Sequence, residues 1–534
     1  MRRIPILPLD GRPGCPARRH DHRRGSILLM VMVLLMMLSL LAVTVIYRRQ
    51  TDEQAVFAAE DKAAARRLAD SGINAAMAWA MEDRYQSALA FGSFATDAAH
   101  TGVAEPDLFR EQELPEGVWS LVRIDTDPAF AGGEVRYGFD DEAGRLNINT
   151  ASREQWQSLL TEFGVENADD VLAAIEQWRG APLDRAAGGG GGSSGGGSGG
   201  SSGGGSSGAA AAALAGGGDP LAALTAQQQP PAGGYNSERA ATAFRNKGAF
   251  FETVEELLRV TLPDGTPAFP RSLMYGTDRN RNGRVDVGED GASIDGVPPG
   301  GLYPYLTVWS VDYSAAKADG TKLININRSL TPDPDAAAGM GAMAENPEQQ
   351  FLREMQEAGI DQAMAEAIIG FRRSGQMFFS VGDLAGIPNV SPEVLAQTFE
   401  LVTTQDVNPG AINVNTASLP VMTALLMRVP RFARDPQTAA ATAQQLTALR
   451  PTLGDRGRNL AWLLDVLTVD DLRFVARYAT TRSFQFRADS VGYTTDGRTF
   501  ARVEAVFDTA LSRPRILYYR DISALGPPER PNRK

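Results

Sequence analysis

The side chains best suited to chemistry lie in one stretch, DRNRNGRVDVGE, which runs from Asp278 to Glu289. Its first acidic and amide side chains stand at alternate positions, and Gly283 stands where a calcium loop needs a sharp turn. Oxygen ligands spaced in this way can wrap a large, hard cation, so we expect calcium as a structural cofactor. The expected ligands are Asp278, Asn280, Asn282, Arg284 through its backbone carbonyl, Asp286 and Glu289, with Asp290 as the alternative closing carboxylate.

The surroundings of this loop favour a structural role over a sensory one. Three arginines inside it lower its negative charge, so its calcium affinity should be modest. A Gly/Pro-rich stretch, residues 290–301, follows it, so the loop need not lie between two full helices. The alternative is an ordinary turn cluster of Asn and Gly residues.

The small supply of histidine and cysteine restricts catalytic chemistry. The one cysteine, Cys15, and two of the three histidines, His20 and His22, lie before Ser26, and the third histidine is His100. A Ser-His-Asp triad, a Cys-His pair or a His/Cys zinc site cannot be assembled in the rest of the chain. No pair of acids stands out for carboxylate-only catalysis, so we expect no catalytic residues.

The composition indicates a multidomain chain with an acidic bulk. The chain has 534 residues, is 43% hydrophobic and carries a formal net charge of -12. Three or four domains with real cores are therefore expected. An acidic bulk argues against broad nucleic-acid binding, because affinity for a duplex depends on Lys and Arg neutralising phosphates.

An uncharged apolar run, Ser26 to Ile46, follows a basic leader. As a helix it would span about 30 Å, the thickness of the hydrocarbon core of a bilayer. A secretory signal peptide is disfavoured because no small-x-small cleavage site follows the run. We expect one membrane span, with the leader in the cytoplasm by the positive-inside rule and the bulk of the chain on the other side.

Beyond this run, the sequence predicts an α+β fold in which one long helix packs on an antiparallel sheet. Sequence rich in Ala, Glu and Arg continues the helix, with apolar residues recurring on one side. The last strands should form an antiparallel meander that packs against the amphipathic half of the helix. Alternation of apolar and polar residues predicts strands at 117–125, 135–140, 483–493, 498–507 and 515–520.

Two repeated motifs predict three related helical modules between these strands. The motif N-x-N begins at Asn147, Asn325 and Asn413. The motif [ST]-V-x-[DE]-L is a capping box that starts a helix, and it begins at Thr253, Ser380 and Thr468. The second and third pairs of motifs have identical spacing along the chain. In the first pair a Gly/Ser-rich tract, predicted to be random coil, lies between the motifs.

These patterns divide the chain into nine segments. They are the leader 1–25, the membrane-spanning half-helix 26–46, the amphipathic half-helix with the first strands 47–145, helical module 1 at 146–275 with the Gly/Ser-rich loop 186–234, the calcium-like loop and strand connector 276–322, module 2 at 323–404, module 3 at 405–480, the last strands 481–523 and a disordered tail 524–534.

Short helices joined by single-glycine turns predict that the modules are all-α units of the helix-hairpin-helix or SAM-like kind. The pattern resembles the hairpin units of competence DNA receptors, in which N-I-N-T-A also opens the motif. Those units offer backbone N–H groups to phosphate from a Gly-rich hairpin followed by basic residues. The hairpins here, around Gly164 and Gly359, are acidic, so a nucleic-acid partner is disfavoured.

The junction between the leader and the apolar run resembles the cleavage site of type IV pilin-like proteins. The resemblance implies that prepilin peptidase cuts between Gly25 and Ser26; the alternative is an anchor that is never processed. Most members of this family carry Glu five residues into the mature chain, where this sequence has Met30. A subunit that lacks the Glu fits best where no subunit lies beyond it, and the K-type pseudopilins typically lack it.

The order of the motifs from Gly25 to about Asp521 is similar to that of minor pseudopilin K of type II secretion systems. The motifs are the leader, LNINTAS, a helix with Trp178, FETVEELL, INVNTAS and the closing strands. The resemblance implies a pilin-like body interrupted by a large helical domain, assembly with the I and J minor pseudopilins, and a metal loop. This chain departs from the family in its third module, its glycine tract and the position of its calcium-like loop.

The leading expectation for function is therefore a structural subunit at the tip of a periplasmic pseudopilus, anchored in the inner membrane by a single span. It would initiate or cap the filament and aid the export of secreted protein substrates. The alternative is a membrane-anchored helix-hairpin-helix nucleic-acid receptor of the competence type. A membrane-tethered hydrolase is a third hypothesis, which the scarcity of histidine disfavours.

Overall fold

The structure is a computed structural model. It describes residues 23–86, 94–95, 109–123, 135–183, 246–278, 280–282, 287, 289, 297, 300–313, 323–330, 346–388, 390–450, 453–511 and 513–528. Most of the predicted leader, the Gly/Ser-rich loop 186–234 and residues 529–534 of the predicted disordered tail lie outside these residues. The prediction is wrong for the start of that tail, where Ser523–Leu525 form a 3-10 helix and Pro528 is buried. The chain divides into two compact units, residues 1–63 and 64–534, each described by itself.

The longest element is a single helix, α1, from Arg23 to Gln86. It can run unbroken because residues 26–86 contain no proline and only one glycine, Gly72. Between residues 27 and 63, every side chain of α1 is exposed. From Leu68 to Ala80 a stripe at helical spacing is buried instead, and it comprises Leu68, Ala69, Ile73, Ala76 and Ala80.

The other helices are short, and most of them belong to the predicted modules. They are α2 Arg153–Glu162, α3 Ala168–Arg179, α4 Arg271–Tyr275, α5 Pro347–Glu357, α6 Gln362–Arg373, α7 Pro392–Phe399, α8 Leu419–Leu426, α9 Pro430–Arg434, α10 Pro436–Leu449 and α11 Val469–Val475. Short 3-10 helices lie at Glu142–Gly144, Val254–Arg259, Tyr303–Tyr305, Val381–Gly386, Gly454–Arg458, Leu460–Asp465 and Ser523–Leu525.

The strands form one large sheet and several two-residue ladders. They are β1 Phe94–Ala95, β2 Gln112–Leu114, β3 Gly117–Arg123, β4 Arg136–Asp141, β5 Leu146–Asn147, β6 Leu306–Thr307, β7 Val311–Asp312, β8 Ile324–Asn325, β9 Val402–Thr403, β10 Asn408–Pro409, β11 Ile412–Asn413, β12 Ala479–Thr480, β13 Gln485–Thr494, β14 Phe500–Asp508 and β15 Arg515–Asp521. In the large sheet, six antiparallel strands lie in the order β1-β4-β3-β13-β14-β15, and β2 pairs with β3.

The buried stripe of α1 packs on this sheet, which confirms the predicted α+β fold and the terminal meander. Two glycines permit the close approach of helix and strand. A Cβ at Gly72 would lie 2.2 Å from Ser490 Oγ, and a Cβ at Gly492 would lie 2.4 Å from the carbonyl oxygen of Ala65. The core between α1 and the sheet includes Leu121, Phe139 and other side chains from several strands, so burial of apolar surface holds the helix in place.

Each N-x-N motif opens a module in the same way. The side-chain oxygen Oδ1 of its first Asn accepts a hydrogen bond from the backbone N–H two residues later. The N···Oδ1 distance is 3.0 Å for Asn147, 2.9 Å for Asn325 and 3.0 Å for Asn413. The strand that carries this Asn pairs in parallel with a two-residue strand. This partner lies near the predicted end of modules 2 and 3, but for module 1 it is β6, so module 1 extends past its predicted end at residue 275. The three pairs are β5 with β6, β8 with β9, and β11 with β12.

The second Asn of each motif identifies equivalent positions in the three modules. Asn149 and Asn327 exchange two hydrogen bonds with the backbones of Phe251 and Phe378, which lie two residues before Thr253 and Ser380. In module 3, Asn415 donates to the carbonyl of Gly457, two residues before Asn459. The equivalent of Thr253 is therefore Asn459 and not Thr468, so the identical spacing of the motifs does not mark equivalent positions.

The predicted capping boxes are confirmed at two of their three sites. Ser380 and Thr468 each cap the following helix, and the acid three residues on bonds back to the cap. The prediction is wrong at Thr253, whose side chain makes no capping hydrogen bond. The acid expected to complete that box, Glu256, instead accepts hydrogen bonds from Lys247 at 2.9 and 3.0 Å.

The predicted hairpins are present in modules 1 and 2. α2 and α3 are joined through Gly164, and α5 and α6 through Gly359, both at positive φ (69° and 92°). In each, the N–H of the residue after the glycine bonds back to the helix, from Val165 to Leu160 and from Ile360 to Met355, at 2.9 Å. This is the usual way to close a helix with a left-handed glycine.

Candidate functional site

The apolar run forms the first candidate site. α1 is long and apolar enough to span a membrane, with a mean hydropathy of 2.9 over its most apolar window, none of which is buried. Gly25 and Ser26, the predicted cleavage pair, lie within the range of this helix, and Met30 is 72% exposed. Length and composition fit either a single membrane span or a signal sequence.

The calcium-like loop forms the second candidate site, and the structure describes its first half. Asp278 and Asn282 are each only 1% exposed. The backbone N–H of Asn282 donates to Asp278 Oδ1 at 3.1 Å and to Asn280 Oδ1 at 3.0 Å, so three of the predicted ligands are brought together. Glu289 is also buried, whereas Arg284 and Asp286 lie outside the described residues.

The donor chemistry of this half-loop fits a hard cation. Its side chains offer one carboxylate and two amide oxygens, the ligand type that calcium prefers. Within the described residues, no three His, Cys, Asp or Glu side chains form a group that could hold a metal. Asn280 and Asn282 are not among those residue types. A calcium site here would therefore depend on their amide oxygens and on backbone oxygens as well as carboxylates.

Arg502, on β14, fixes the backbone of the loop. It is 0% exposed and forms a two-pronged pair with Asp489 on β13, at 2.8 and 2.7 Å. Its remaining N–H groups donate to the carbonyl of Asn280 and, at 2.9 Å, to the carbonyl of Arg281. Arg281 has a φ of 53°, a left-handed backbone that is unusual for a residue other than glycine. The two bonds from Arg502 hold the backbone at this turn.

A buried ionic network lies beside this loop and joins the sheet to the connector 276–322. Arg487 on β13 pairs with Glu142 and, at 2.7 Å, with Glu504 on β14. Tyr303 of the connector donates to Glu504 at 3.0 Å, and Arg281 lies 3.5 Å from the other carboxylate oxygen. Burial would raise the pKa of Glu504, but the guanidinium groups of Arg281 and Arg487 hold it at about 2.

In the part of the chain that the structure describes, Asp141, at the end of β4, is held by hydrogen bonds from uncharged groups and not by ion pairs. It is 4% exposed, and all its hydrogen-bond donors among the described residues are neutral: the backbone of Ala143 at 2.8 Å, Thr416 at 2.7 Å, Asn413 at 3.1 Å and the hydroxyl of Ser483. Burial raises the pKa of this carboxyl to about 6, and the hydrogen bonds only partly offset the effect. The group therefore joins module 3 to the sheet without a cation.

Sequence reasoning did not identify Arg502, Arg487 or Asp141 as site residues. A signal for the two arginines was present, because charges at positions i and i+2 of an apolar strand lie on one face of it. Strand β13 carries Arg487 and Asp489 in this relation, and β14 carries Arg502 and Glu504. Arg487, Arg502 and Glu504 are buried and Asp489 is largely so, and four such charges on adjacent strands indicate an internal ionic cluster.

Comparisons with known proteins add no relative to this picture. No protein-family model, no curated protein and no solved structure matches the chain. The fold class therefore stands on the packing of α1 against the sheet, and any function must be argued from the residues described above.

Proposed function

We propose that this chain is a structural tip subunit of a type II secretion pseudopilus, a minor pseudopilin of the K type. It would assemble with the I and J minor pseudopilins, initiate or cap the filament and aid the export of folded proteins. The observation that carries the proposal is α1, one helix that supplies both an exposed apolar run and the buried stripe packed on an antiparallel sheet.

The N-terminal residues support this choice among filament subunits. The apolar run would hold the chain in the inner membrane as a single span, with the bulk of the chain in the periplasm. Prepilin peptidase would cut between Gly25 and Ser26. Met30 has no charge to offer the terminal amine of a neighbour, which fits a subunit at the end of a filament.

The loop from Asp278 to Glu289 is proposed as a structural calcium site. Asp278, Asn280, Asn282, Asp286 and Glu289 would supply side-chain oxygens, and Arg284 its carbonyl. Calcium would add positive charge among these oxygens and stiffen a segment that rests on the sheet. No catalytic residues are proposed for the chain.

The geometry of the hairpins gives no support to the nucleic-acid alternative. In module 2, the side chain of Asp361 caps α6 and accepts from the backbone N–H groups of Ala363 at 2.9 Å and Met364 at 3.3 Å. These are the donors that a phosphate would use at a helix N-terminus. A carboxylate at that place would repel a phosphate.

The test is mass spectrometry of the mature N-terminus after expression with and without prepilin peptidase. We expect the chain to begin at Ser26 only when the peptidase is present. A G25V variant should keep the leader. The matched control G14V, a change within the leader, should lose the leader when the peptidase is present. Chains that begin at Met1 under both conditions would overturn the proposal.

A further inference from the structure

The N-x-N motifs of modules 1 and 3 touch each other in a reciprocal contact. Gly144, three residues before the motif of module 1, lies against the hydroxyl of Thr416, three residues into the stretch that the motif of module 3 opens. In the other direction, Gly410 before the motif of module 3 lies against the hydroxyl of Thr150 in module 1. A Cβ added at either glycine would collide with that hydroxyl. An approximate two-fold axis therefore relates the two motifs.

This contact is symmetric in shape but not in chemistry. Six residues before the motif, the sequence has Asp141 for module 1 and Val407 for module 3. The Oδ2 atom of Asp141 accepts hydrogen bonds from Asn413 and Thr416 of the opposite motif and from Ser483 at the start of the last strands. Val407 instead packs against a small apolar cluster. Only the motif of module 3 is thus fastened to the sheet by a carboxyl group.

The carboxyl group of Asp141 has all the partners it needs in its neutral form. Two of its neighbours are hydroxyls, which accept as well as donate, so a protonated Oδ2 can donate to Ser483 or Thr416. The ionised form places a negative charge in a buried position, and no cationic side chain among the described residues bonds to it. Burial without a cation favours the neutral form. Ionisation is therefore easier once the motif has moved away and water reaches the carboxyl.

The charged groups on the elements around Asp141 are engaged with one another. The motif stretch of module 3, residues 411–418, carries no charge. The charged side chains of β4, of the 3-10 helix that follows it and of the start of β13 form the pairs Asp140 with Arg123 and Arg145, Glu142 with Arg487, and Asp312 with Arg482. The charge state of the contact therefore depends on Asp141.

We infer that Asp141 is a pH-sensitive latch between the sheet and the N-x-N motif of module 3, which the neutral carboxyl holds and the ionised carboxyl loosens. The motif of module 1, with Val407 in the equivalent place, has no such latch. The opening is local: the motif of module 3 separates from the sheet while the sheet stays folded. Local openings of this kind occur at a lower free energy than global unfolding.

Two pairs of equivalent backbone amides make the latch measurable. In module 3, the N–H groups of Thr416 and Ala417 donate to the carbonyl of the first Asn of the motif, at 3.2 and 2.9 Å. In module 1, those of Thr150 and Ala151 donate in the same way, at 3.1 and 2.9 Å. Hydrogen exchange on the full chain in detergent at pH 4 and pH 7, expressed as protection relative to the unfolded chain, compares the two pairs in one sample.

Protection should depend on pH at the motif of module 3 alone. Burial raises the pKa of Asp141 to about 6, and a solvated carboxyl returns to 3.8, so the latch is closed below about pH 4 and is lost as the pH rises through about 6. From pH 4 to pH 7, protection of Thr416 and Ala417 should fall about 50-fold. Protection of Thr150 and Ala151 should stay the same.

Two variants test the assignment to this carboxyl. D141N is neutral at both pH values and should keep the high protection throughout, whereas D169N, the same change at an exposed side chain, should behave like the wild type. T416V keeps the carboxyl but removes a hydrogen bond that favours its ionised form, so the midpoint of the change should move to higher pH. A merely structural role for Thr416 would leave the midpoint where it was.

Three results would overturn the latch: equal protection of Thr416 and Ala417 at both pH values, a pH dependence that survives in D141N, and a parallel loss of protection at both motifs. The last would mean that the whole body opens together. The inference is independent of the proposed tip-subunit function, which is tested by the processing of the N-terminus.

Discussion

Two adjacent acids show how single residues decide the pH behaviour of this fold. Asp141 and Glu142 are both buried, yet only Glu142 has cationic partners. Burial acts against ionisation of Glu142, but Arg487 and Arg145 outweigh it and lower its pKa. Asp141 has only neutral donors, so burial keeps its pKa raised, at about 6. Neighbours in sequence thus contribute to stability with opposite dependence on pH.

The contribution of Asp141 can be isolated with the D141N variant. Because the folded pKa lies above the ordinary value of 3.8, the proton is held more tightly in the folded chain. The stabilisation is therefore fully present below about pH 4 and is lost as the pH rises through about 6. Over that window the free energy of unfolding of the wild type, relative to D141N, should fall by about 3 kcal/mol.

Urea denaturation of the full chain in detergent, followed by tryptophan fluorescence at several pH values, measures this difference. The control is D169N, the same change at a side chain that is 74% exposed. A difference between wild type and D141N that stays constant from pH 4 to 7 would contradict the assigned role of Asp141.

At the scale of elements, the same capping motif stabilises the fold to different degrees at different sites. The backbone N–H of Asp471 donates to Thr468 Oγ1 at 3.2 Å, and the carboxylate of Asp471 accepts from the backbone of Thr468 at 3.0 Å. Thr253 makes no such bond. The T468A variant should therefore lower the free energy of unfolding by about 1 kcal/mol, and T253A by a few tenths at most.

Chemical denaturation of the two variants side by side checks this prediction. The substitution is the same in both, so the loss of a methyl and a hydroxyl group is matched. Equal losses of stability would mean that capping does not account for the difference.

Local sequence patterns predicted the strands of the meander, but they did not predict which positions of the three modules are equivalent. The alternation in β13 to β15 predicted the meander, because successive side chains of a strand point to opposite faces. It did not predict that β13 and β14 are buried on both faces. The identical spacing of the motifs misled, because module 3 uses Asn459 where the others use Thr or Ser, and Thr468 supplies an unrelated cap. In the candidate cation loop, the structure brings together three of the predicted ligands, Asp278, Asn280 and Asn282, and the calcium site itself stays a prediction. The anchor of the loop could not be predicted, because Arg502 lies far from the loop in sequence, beyond modules 2 and 3, and carries no local signature of that contact.

At the scale of the whole molecule, the Gly/Ser-rich tract is an insertion at one turn of module 1. In module 2, Arg372 and Phe378 both bond to Asn327, and they lie close together in the sequence. In module 1, Arg179 and Phe251 bond to the equivalent residue, Asn149, and the whole tract lies between them. The base of the insertion is closed by a 2.9 Å hydrogen bond from the N–H of Gly248 to the carbonyl of Trp178. Module 1 can therefore be complete without the tract.

Replacing residues 184–245 with Gly-Ser-Gly should raise the free energy of unfolding by about 1–2 kcal/mol, because a shorter loop loses less entropy on closure. Thermal unfolding of the full chain measures the change. A control with residues 187–208 scrambled should unfold like the wild type. A loss of stability on deletion would show that the tract packs against the body.

The parallel ladders that close the modules have a consequence for how such a chain can grow. Each module starts and finishes at neighbouring points, and all three lie between Asp141 and Phe486, which face each other across β4 and β13. A lineage could therefore duplicate one module in a single genetic event without moving the ends of the strands on either side. Discarding a module would be costly, because the three modules share one buried apolar core and Arg428 of module 3 donates to Gln155 and Thr150 of module 1.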